Sequence, residues 1–163
     1  MRICFITTGG TIDKIYFDAL SDYHVGDSPL QSILLEGLVD FEHDIVPLLR
    51  KDSLEVTDAD RVALRDYIAN DGATRYVITH GTDTMPQTAE VLMGIEGKTI
   101  VLTGALTPAR FRTTDAPFNV GMAVATVQIA PPGVYIAMSG QVFEAGAVRK
   151  NRAANKFEAT DRN

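Results

Sequence analysis

The 163-residue chain has a single cysteine, Cys4, which excludes an internal disulfide and a zinc centre built from cysteines. Its three histidines, His24, His43 and His80, are far apart and lack the close spacings that are typical of metal ligands. We therefore expect no metal and no other cofactor. The chain is 45% hydrophobic, so we expect a core of ordinary size to hold one domain together.

Basic residues are scarce in the first sixty positions, where four bases stand against twelve acids, and the formal net charge of the chain is −6. This balance argues against nucleic acids and anionic membranes as partners.

Long apolar runs are scarce too. The run at residues 3–6 is too short for a secretory signal, and Pro131 and Pro132 divide the charge-free stretch 116–143. We therefore expect a cytoplasmic protein.

The chain does contain a regular alternation of strand and helix patterns. Runs of β-branched and aromatic residues predict strands over residues 2–8, 44–49, 76–79, 99–103 and 134–138. Helices are predicted to begin near Pro29, Asp58, Thr84 and Asp115. Solidly apolar strands that alternate with helices are typical of a parallel sheet covered on both faces. The prediction is a single-domain α/β fold of three layers, with a mostly parallel sheet and helices on both faces, of flavodoxin-like or Rossmann-like type.

Three segments are less regular. Residues 11–28 show no clean period, and we expect a loop without regular structure that closes over a ligand. Thr84 to Gln87 match a capping box, which predicts a hydrogen-bonded start for the third helix. The residues after Met138 are mixed and weakly periodic, and no strand or helix is predicted there.

Threonines and glycines follow three of the predicted strands, in the segments 7–11, 79–84 and 103–105. Because the carboxyl ends of parallel strands meet at one edge of a sheet, these turns are expected to converge on one pocket. The chain has no G-x-G-x-x-G motif, no phosphate-binding P-loop and no G-x-S-x-G elbow. Threonine chemistry remains, in which a base activates a hydroxyl, and a lysine desolvated in a cleft can serve as that base. The alternative is that these segments are only turns, with Asp83 or Thr84 capping a helix.

Taken together, the motifs Thr7–Ile12 (TTGGTI) and His80–Met85 (HGTDTM) resemble the L-asparaginase family of bacterial type. Val101–Ala105 and Asp115–Asn119 are similar to two further segments of that family and occur in the same order. The resemblance corresponds to the amino-terminal domain of the usual two-domain enzyme. It implies a domain over residues 1–157 and a C-terminal tail over residues 158–163.

The resemblance implies a catalytic role for five residues. Thr11 matches the nucleophile in a mobile loop, and Tyr23 matches the tyrosine that packs against the nucleophile and activates it. Thr82, Asp83 and Lys150 match a second set made of a hydroxyl, an acid and a lysine. The match around Lys150 is loose, and Lys156 is the alternative lysine.

The resemblance also implies how a substrate is held. Ser53 would bind the α-carboxylate, Asp83 the α-ammonium group, and the Ala105 carbonyl the departing amide nitrogen. Backbone amides near Gly10 and Thr82 would stabilise an oxyanion. Leu54 departs from the family, which usually has a polar residue there that helps to hold the substrate. The full set of expected substrate-binding residues is Gly10, Ser53, Leu54, Gly81, Thr82, Asp83 and Ala105.

Two functions remain open at this point. The first is hydrolysis of the side-chain amide of L-asparagine to L-aspartate and ammonia, through attack by Thr11 and an acyl-enzyme. The second is a module that binds asparagine or aspartate with little or no turnover, which Leu54 and the absence of the family's second domain favour. In either case the expected partner is a small amino acid, and we expect a homodimer or homotetramer because the matching domain is normally covered.

Overall fold

The computed structural model describes residues 1–17 and 22–160, with only the backbone of Phe17. The strands are β1 Arg2–Gly9, β2 Lys14–Phe17, β3 Asp22–Val25, β4 Glu42–Lys51, β5 Arg75–Thr79, β6 Thr99–Thr103, β7 Gly133–Met138, β8 Gln141–Glu144, β9 Val148–Asn151 and β10 Lys156–Ala159. The α-helices are α1 Leu30–Glu36, α2 Asp58–Asn70, α3 Met85–Leu92 and α4 Ala116–Ile129, and short 3-10 helices cover Thr11–Asp13 and Ser53–Glu55. No helix in this described part is both long and apolar enough to cross a membrane.

Six strands form one sheet in the order β4-β1-β5-β6-β7-β8. Neighbouring strands are parallel from β4 to β7, and β8 is antiparallel at the edge. Side chains of β1 alternate between the two faces of the sheet. Cys4 and Ile6 pack against α2 and α3 on one face, whereas Ile3 and Phe5 pack against α1 and α4 on the other. The predicted three-layer α/β fold, with a mostly parallel sheet between helices, is confirmed.

The order of the strands places a crevice beside β1. The strand that follows β1 in this sheet is β4, which lies on one side of β1, while the strands from β5 to β8 lie on the other side. At such a reversal the loops leave in opposite directions from the carboxyl ends of the two central strands, and ligands bind between them. Here those two strands are β1 and β5, so the loops that begin at Gly10 and His80 border the crevice.

The segment expected to be an irregular loop, residues 11–28, contains regular structure instead. After the 3-10 helix at Thr11–Asp13, strands β2 and β3 pair as an antiparallel hairpin whose base is closed by the Gly26 amide donating to the Asp13 carbonyl at 2.8 Å. The rings of Tyr16 and Tyr23 pair across it at 5.4 Å. The expectation is therefore wrong for residues 11–17 and 22–25, and residues 18–21 lie outside the described part. The two strands of this hairpin are short and half-exposed, so their sequence shows no apolar periodicity from which the hairpin could be predicted.

The predicted capping box at Thr84 is also wrong, although α3 begins where it was expected. The Thr84 hydroxyl donates to the Ser53 carbonyl at 2.7 Å and makes no capping bond within its own helix. Capping boxes are found at two other places, Thr57 with Asp60 before α2, and Asp52 with Glu55 before a 3-10 helix. The Thr84 hydroxyl thus donates to a distant carbonyl and does not accept from the Gln87 amide, as a capping box would require.

The residues after Met138, for which no element was predicted, form the edge strand β8 and the hairpin β9–β10. Phe143 of β8 and Phe157 of β10 are buried side by side, with ring centroids 6.5 Å apart. This hairpin brings the basic C-terminal residues to the carboxyl end of β5. The domain boundary after residue 157 stays a prediction, and β10 runs from Lys156 to Ala159.

Candidate active site

Three loops meet at the carboxyl ends of the central strands, and glycines allow them to touch. Gly10 has a φ of 88°, and a Cβ at that position would lie 2.4 Å from the Gly81 Cα. A Cβ on Gly81 would lie 2.5 Å from the Cβ of Ser53. Real side chains do not fit at such distances, so only glycine permits this approach. The predicted convergence of the loops after β1 and β5 is thus found, and the Ser53 segment after β4 joins them.

Lys150 joins two residues of the loop after β5. Its Nζ donates to Thr82 Oγ1 at 2.5 Å and to Asp83 Oδ1 at 2.9 Å. The Lys150 side chain is only 8% exposed, whereas that of Lys156 is 60% exposed and pairs with Glu158 at 3.5 Å. Of the two candidate lysines, Lys150 is therefore the one that contacts the threonine and the acid. Charge-assisted bonds of this kind fix both partners in orientation.

The two threonines of the predicted site differ in their surroundings. Thr82 is buried and accepts the Lys150 bond, while Thr11 follows Gly10 at the start of its 3-10 helix and is partly exposed. Tyr23 lies on β3, and its half-exposed ring packs against Tyr16 and against Phe111, with the latter centroid 6.0 Å away. Two aromatic rings thus contact the ring of Tyr23.

The hairpin that carries Tyr23 is tied to the Ser53 segment. Lys14 of β2 pairs with Asp52 at 2.8 Å, and the Asp52 carboxylate also accepts from the Leu54 amide at 3.2 Å. Ser53 is buried at the contact with Gly81, but the Leu54 side chain is 64% exposed. Leu54 therefore presents an apolar group to solvent beside the crevice.

The loop after β6 is held against the same region by residues that sequence reasoning did not place in the site. The Asp115 carboxylate accepts from the amides of Leu106 and Thr107 at 2.9 and 3.0 Å, and Asn119 Nδ2 donates to the Gly104 carbonyl at 3.0 Å. These bonds position the buried Ala105 between them. The signal was present, because Asp115 and Asn119 stand in one of the segments that resemble the family.

The side chain of His80 stabilises the loop that follows β5. Burial lowers the pKa of its imidazole to about 4, so the ring is neutral at physiological pH. Nδ1 donates to the Gly81 carbonyl at 2.7 Å, and Nε2 accepts from the Thr88 hydroxyl at 2.9 Å. Arg61 Nε in turn donates to that hydroxyl at 3.1 Å. Because protein groups occupy both ring nitrogens, His80 holds the backbone beside Thr82 in place.

Asp13 is a buried acid that the sequence analysis did not single out. It is 2% exposed, and its Oδ1 has no hydrogen-bond partner within residues 1–17 and 22–160. Burial raises the pKa of its carboxyl to about 6. In the same part of the chain, no group of three or more histidines, cysteines or acids is arranged to hold a metal ion.

Known proteins resemble this chain in sequence. A family model described as "Asparaginase, N-terminal" matches residues 2–162. A glutaminase-asparaginase of Acinetobacter glutaminasificans is 32% identical over 165 residues, which cover 91% of this chain and 49% of the relative. An L-asparaginase of Bacillus licheniformis is 29% identical, covering 94% of this chain and 51% of the relative.

Solved structures resemble it as well. L-asparaginase I from Vibrio cholerae superposes with a TM-score of 0.83 at 25% identity, and a probable cytoplasmic L-asparaginase from Campylobacter jejuni with 0.78 at 30%. Each match covers 97% of this chain and 51% of the other. The chain thus spans about half the length of the relatives that it matches. With nearly all of its residues accounted for by the family model, the chain belongs to the asparaginase N-terminal domain family.

Proposed function

We propose that the chain hydrolyses the side-chain amide of L-asparagine to L-aspartate and ammonia. The observation that carries the proposal is the buried Lys150, bonded to both Thr82 and Asp83 at the crevice that Gly10 and Thr11 border. The names of the relatives support this substrate class. Because the chain spans only half of their length, its own activity stays a proposal.

In the proposed reaction, Thr11 Oγ attacks the side-chain carbonyl carbon of asparagine. Tyr23 activates the hydroxyl, as the resemblance implies, the hydroxyl proton passes to the departing nitrogen, and backbone amides near Gly10 and Thr82 stabilise the oxyanion. The C–N bond then breaks, ammonia leaves with the transferred proton, and an ester to Thr11 remains. Water hydrolyses this ester, which releases aspartate and restores the hydroxyl. Lys150 orients Thr82 beside the reacting carbon.

The substrate is proposed to lie between the Ser53 segment and Asp83. Ser53 would bind the α-carboxylate, Asp83 the α-ammonium group, and the Ala105 carbonyl the departing nitrogen, with Gly81 lining the floor. These groups stand on loops in direct backbone contact, which suits a short side chain. We therefore expect asparagine to be a better substrate than glutamine.

A binding module with little or no turnover is the second candidate, and Leu54 is the observation that favours it. The residue is apolar and 64% exposed where the resemblance implies a polar group that holds substrate. Losing a hydrogen bond to a charged ligand typically costs about 1.5–3 kcal/mol. Such a loss would weaken substrate binding but would leave the threonines of the site in place. A measurement of turnover therefore distinguishes the hydrolase from the binding module.

Ammonia release from millimolar asparagine by the purified chain tests the proposal. Thr11→Val keeps the shape of the side chain and removes the hydroxyl, and we expect turnover to fall at least about 10³-fold. Thr82→Val is measured in parallel, and Thr126→Val, a threonine whose hydroxyl bonds within α4, serves as the matched control. If Thr82→Val loses activity while Thr11→Val keeps it, the two threonine roles are reversed. Aspartate binding without ammonia release would support the binding module instead.

We also propose that the chain forms a homodimer or homotetramer in the cytoplasm. Helix α4 contains no charged residue, and its Phe118 and Ile129 are 63% and 84% exposed. Two copies of a chain with a net charge of −6 repel each other least across a charge-free face, so a second copy fits this face. The Campylobacter jejuni relative is described as cytoplasmic, whereas a Haemophilus influenzae relative is described as periplasmic.

A further inference from the structure

A series of hydrogen bonds runs from helix α2 to the loop after β5. Arg61 Nε donates to the Thr88 hydroxyl at 3.1 Å, and that hydroxyl lies 2.9 Å from His80 Nε2. On the other side of the ring, Nδ1 lies 2.7 Å from the Gly81 carbonyl. A guanidinium only donates and a carbonyl only accepts, so the neutral imidazole carries its proton on Nδ1 and the hydroxyl donates to Nε2. All three bonds of this relay therefore point the same way, from Arg61 to Gly81.

The peptide group at the end of the relay belongs to the candidate site. The Gly81 carbonyl and the Thr82 amide are parts of one planar peptide unit. A bond accepted by the carbonyl draws electrons from the nitrogen of the same unit and makes its N–H a stronger donor, and hydrogen bonds in series strengthen one another in this way. The proposed function places this amide beside the oxyanion, so the relay ends on a group that the reaction uses.

We propose that Arg61 and Thr88 are positioning residues, which act through His80 to orient and polarise the peptide unit that carries the Thr82 amide, and so strengthen that amide as an oxyanion donor. The inference rests on the proposed function and assigns further residues to it. Arg61 is 7% exposed and Thr88 is fully buried, so both act through the imidazole and not on the substrate itself.

The burial of Arg61 supports this assignment. Its acid partner Asp58, which accepts from Nη1 at 3.0 Å, is fully exposed, and such a partner offsets little of the cost of burying a guanidinium. An apolar side chain would fill the space between α2 and α3 without that cost. The charge is accounted for if its function is to donate to Thr88, with Asp58 helping to orient the guanidinium.

Two substitutions interrupt the relay at different bonds. Arg61→Met removes the guanidinium, and Thr88→Val removes the hydroxyl while keeping the shape of the side chain. Thr88→Ser retains the hydroxyl and should restore the parent behaviour. Arg65→Met is the matched control, because Arg65 also joins α2 to the end of α3, through the carbonyls of Val91 and Met93 at 2.5 and 2.8 Å, and lies outside the relay.

Ammonia release from asparagine gives kcat and KM for each protein. For both interrupting variants we expect kcat to fall about two- to eightfold, the size expected when an oxyanion donor worth about 10²–10³-fold loses roughly 10–30% of its strength on a logarithmic scale. KM should keep its parent value, because the interaction is made in the transition state. Thr88→Ser and Arg65→Met should retain both parent constants.

Proton and ¹⁵N NMR supply a readout that needs no turnover. In Arg61→Met and Thr88→Val the Thr82 amide proton should move upfield, the direction expected for a less polarised N–H. The His80 Nε2 resonance should move in Thr88→Val, which removes its donor. Arg65→Met should leave both resonances where the parent has them.

The two readouts separate this inference from the proposed function. If no protein releases ammonia but the resonances move as stated, the relay acts on the Thr82 amide and the hydrolase proposal fails. If the parent releases ammonia but Arg61→Met and Thr88→Val leave kcat and the Thr82 resonance unchanged, the relay is refuted and the hydrolase proposal stands. Equal losses for Arg65→Met, or no recovery in Thr88→Ser, would show only that α2 must pack against α3, and would also overturn the inference.

Discussion

Replacing Asp13 by asparagine is expected to stabilise the fold at neutral pH. The Asp13 carboxyl is 2% exposed, and its Oδ1 has no hydrogen-bond partner among the described residues. Burial raises its pKa from the ordinary 3.8 to about 6, and the nearby Ser28 hydroxyl and the positive charges of Arg50 and Arg110 offset only part of this effect. The ionised carboxylate is therefore disfavoured in the folded chain.

The sign of the pH dependence follows from this raised pKa. The folded state holds the Asp13 proton more tightly than the unfolded state, so Asp13 contributes stability that is fully present below about pH 4. That contribution is lost as the pH rises toward 6 and stays lost above it. Since one pKa unit corresponds to about 1.4 kcal/mol, the loss reaches roughly 3 kcal/mol at pH 8. Asp13→Asn removes this penalty, because the amide does not ionise.

Urea unfolding of both proteins at pH values from 4 to 8 measures the difference. We expect Asp13→Asn to be more stable than the parent at pH 8 by about 1–3 kcal/mol, or about 2–4 °C in Tm for each kcal/mol. The advantage should shrink toward pH 4. Asp66→Asn, an exposed acid on α2, is the control and should show no such trend. A stability difference that stays constant with pH, or a variant less stable at pH 8, would refute the reasoning.

Four further predictions concern the candidate site and the surface. Lys150→Met should lower turnover by about 10²–10⁴-fold in the ammonia assay, and Lys156→Met should not, because only Lys150 contacts Thr82. Limited proteolysis should cut first within residues 12–27, and aspartate should protect this segment; unprotected cleavage elsewhere would contradict its role as a lid. The KM for asparagine should be millimolar and should fall for Leu54→Gln. Light scattering should give a mass of at least twice 17.7 kDa, which Phe118→Asp should reduce to the monomer.

The central sheet could be predicted because its strands are covered on both faces. A strand buried between two helical layers is apolar at nearly every position, as residues 3–6 are, and such a run is visible without knowledge of its partners. The hairpins β2–β3 and β9–β10 carry charged and aromatic residues in half-exposed strands. Their pairing is decided by which segment lies opposite, and the sequence pattern alone does not contain that information.

The start of α3 shows how a tertiary contact replaces a local rule. Thr84 and Gln87 have the residue types of a capping box, but the Thr84 hydroxyl finds the Ser53 carbonyl, 31 residues earlier, as its acceptor. That carbonyl is in reach only because Gly81 lets the Ser53 segment approach the β5 loop. The glycine that makes the crevice compact is thus also the reason that the helix begins without its expected cap.

The inward orientation of Lys150 is a feature of the site that the sequence pattern alone could not predict. In the stretch Val148–Lys156 several basic residues follow one another, and such a stretch is usually a solvated surface. The strand period places Arg149 and Lys150 on opposite sides of β9, so that one side chain is 68% exposed and the other 8%. Which of the two turns inward depends on the register of β9 with β10, where Lys150 pairs with the buried Phe157. That register is a property of the folded hairpin, so the contact of Lys150 with Thr82 and Asp83 could be inferred before the structure only through the resemblance.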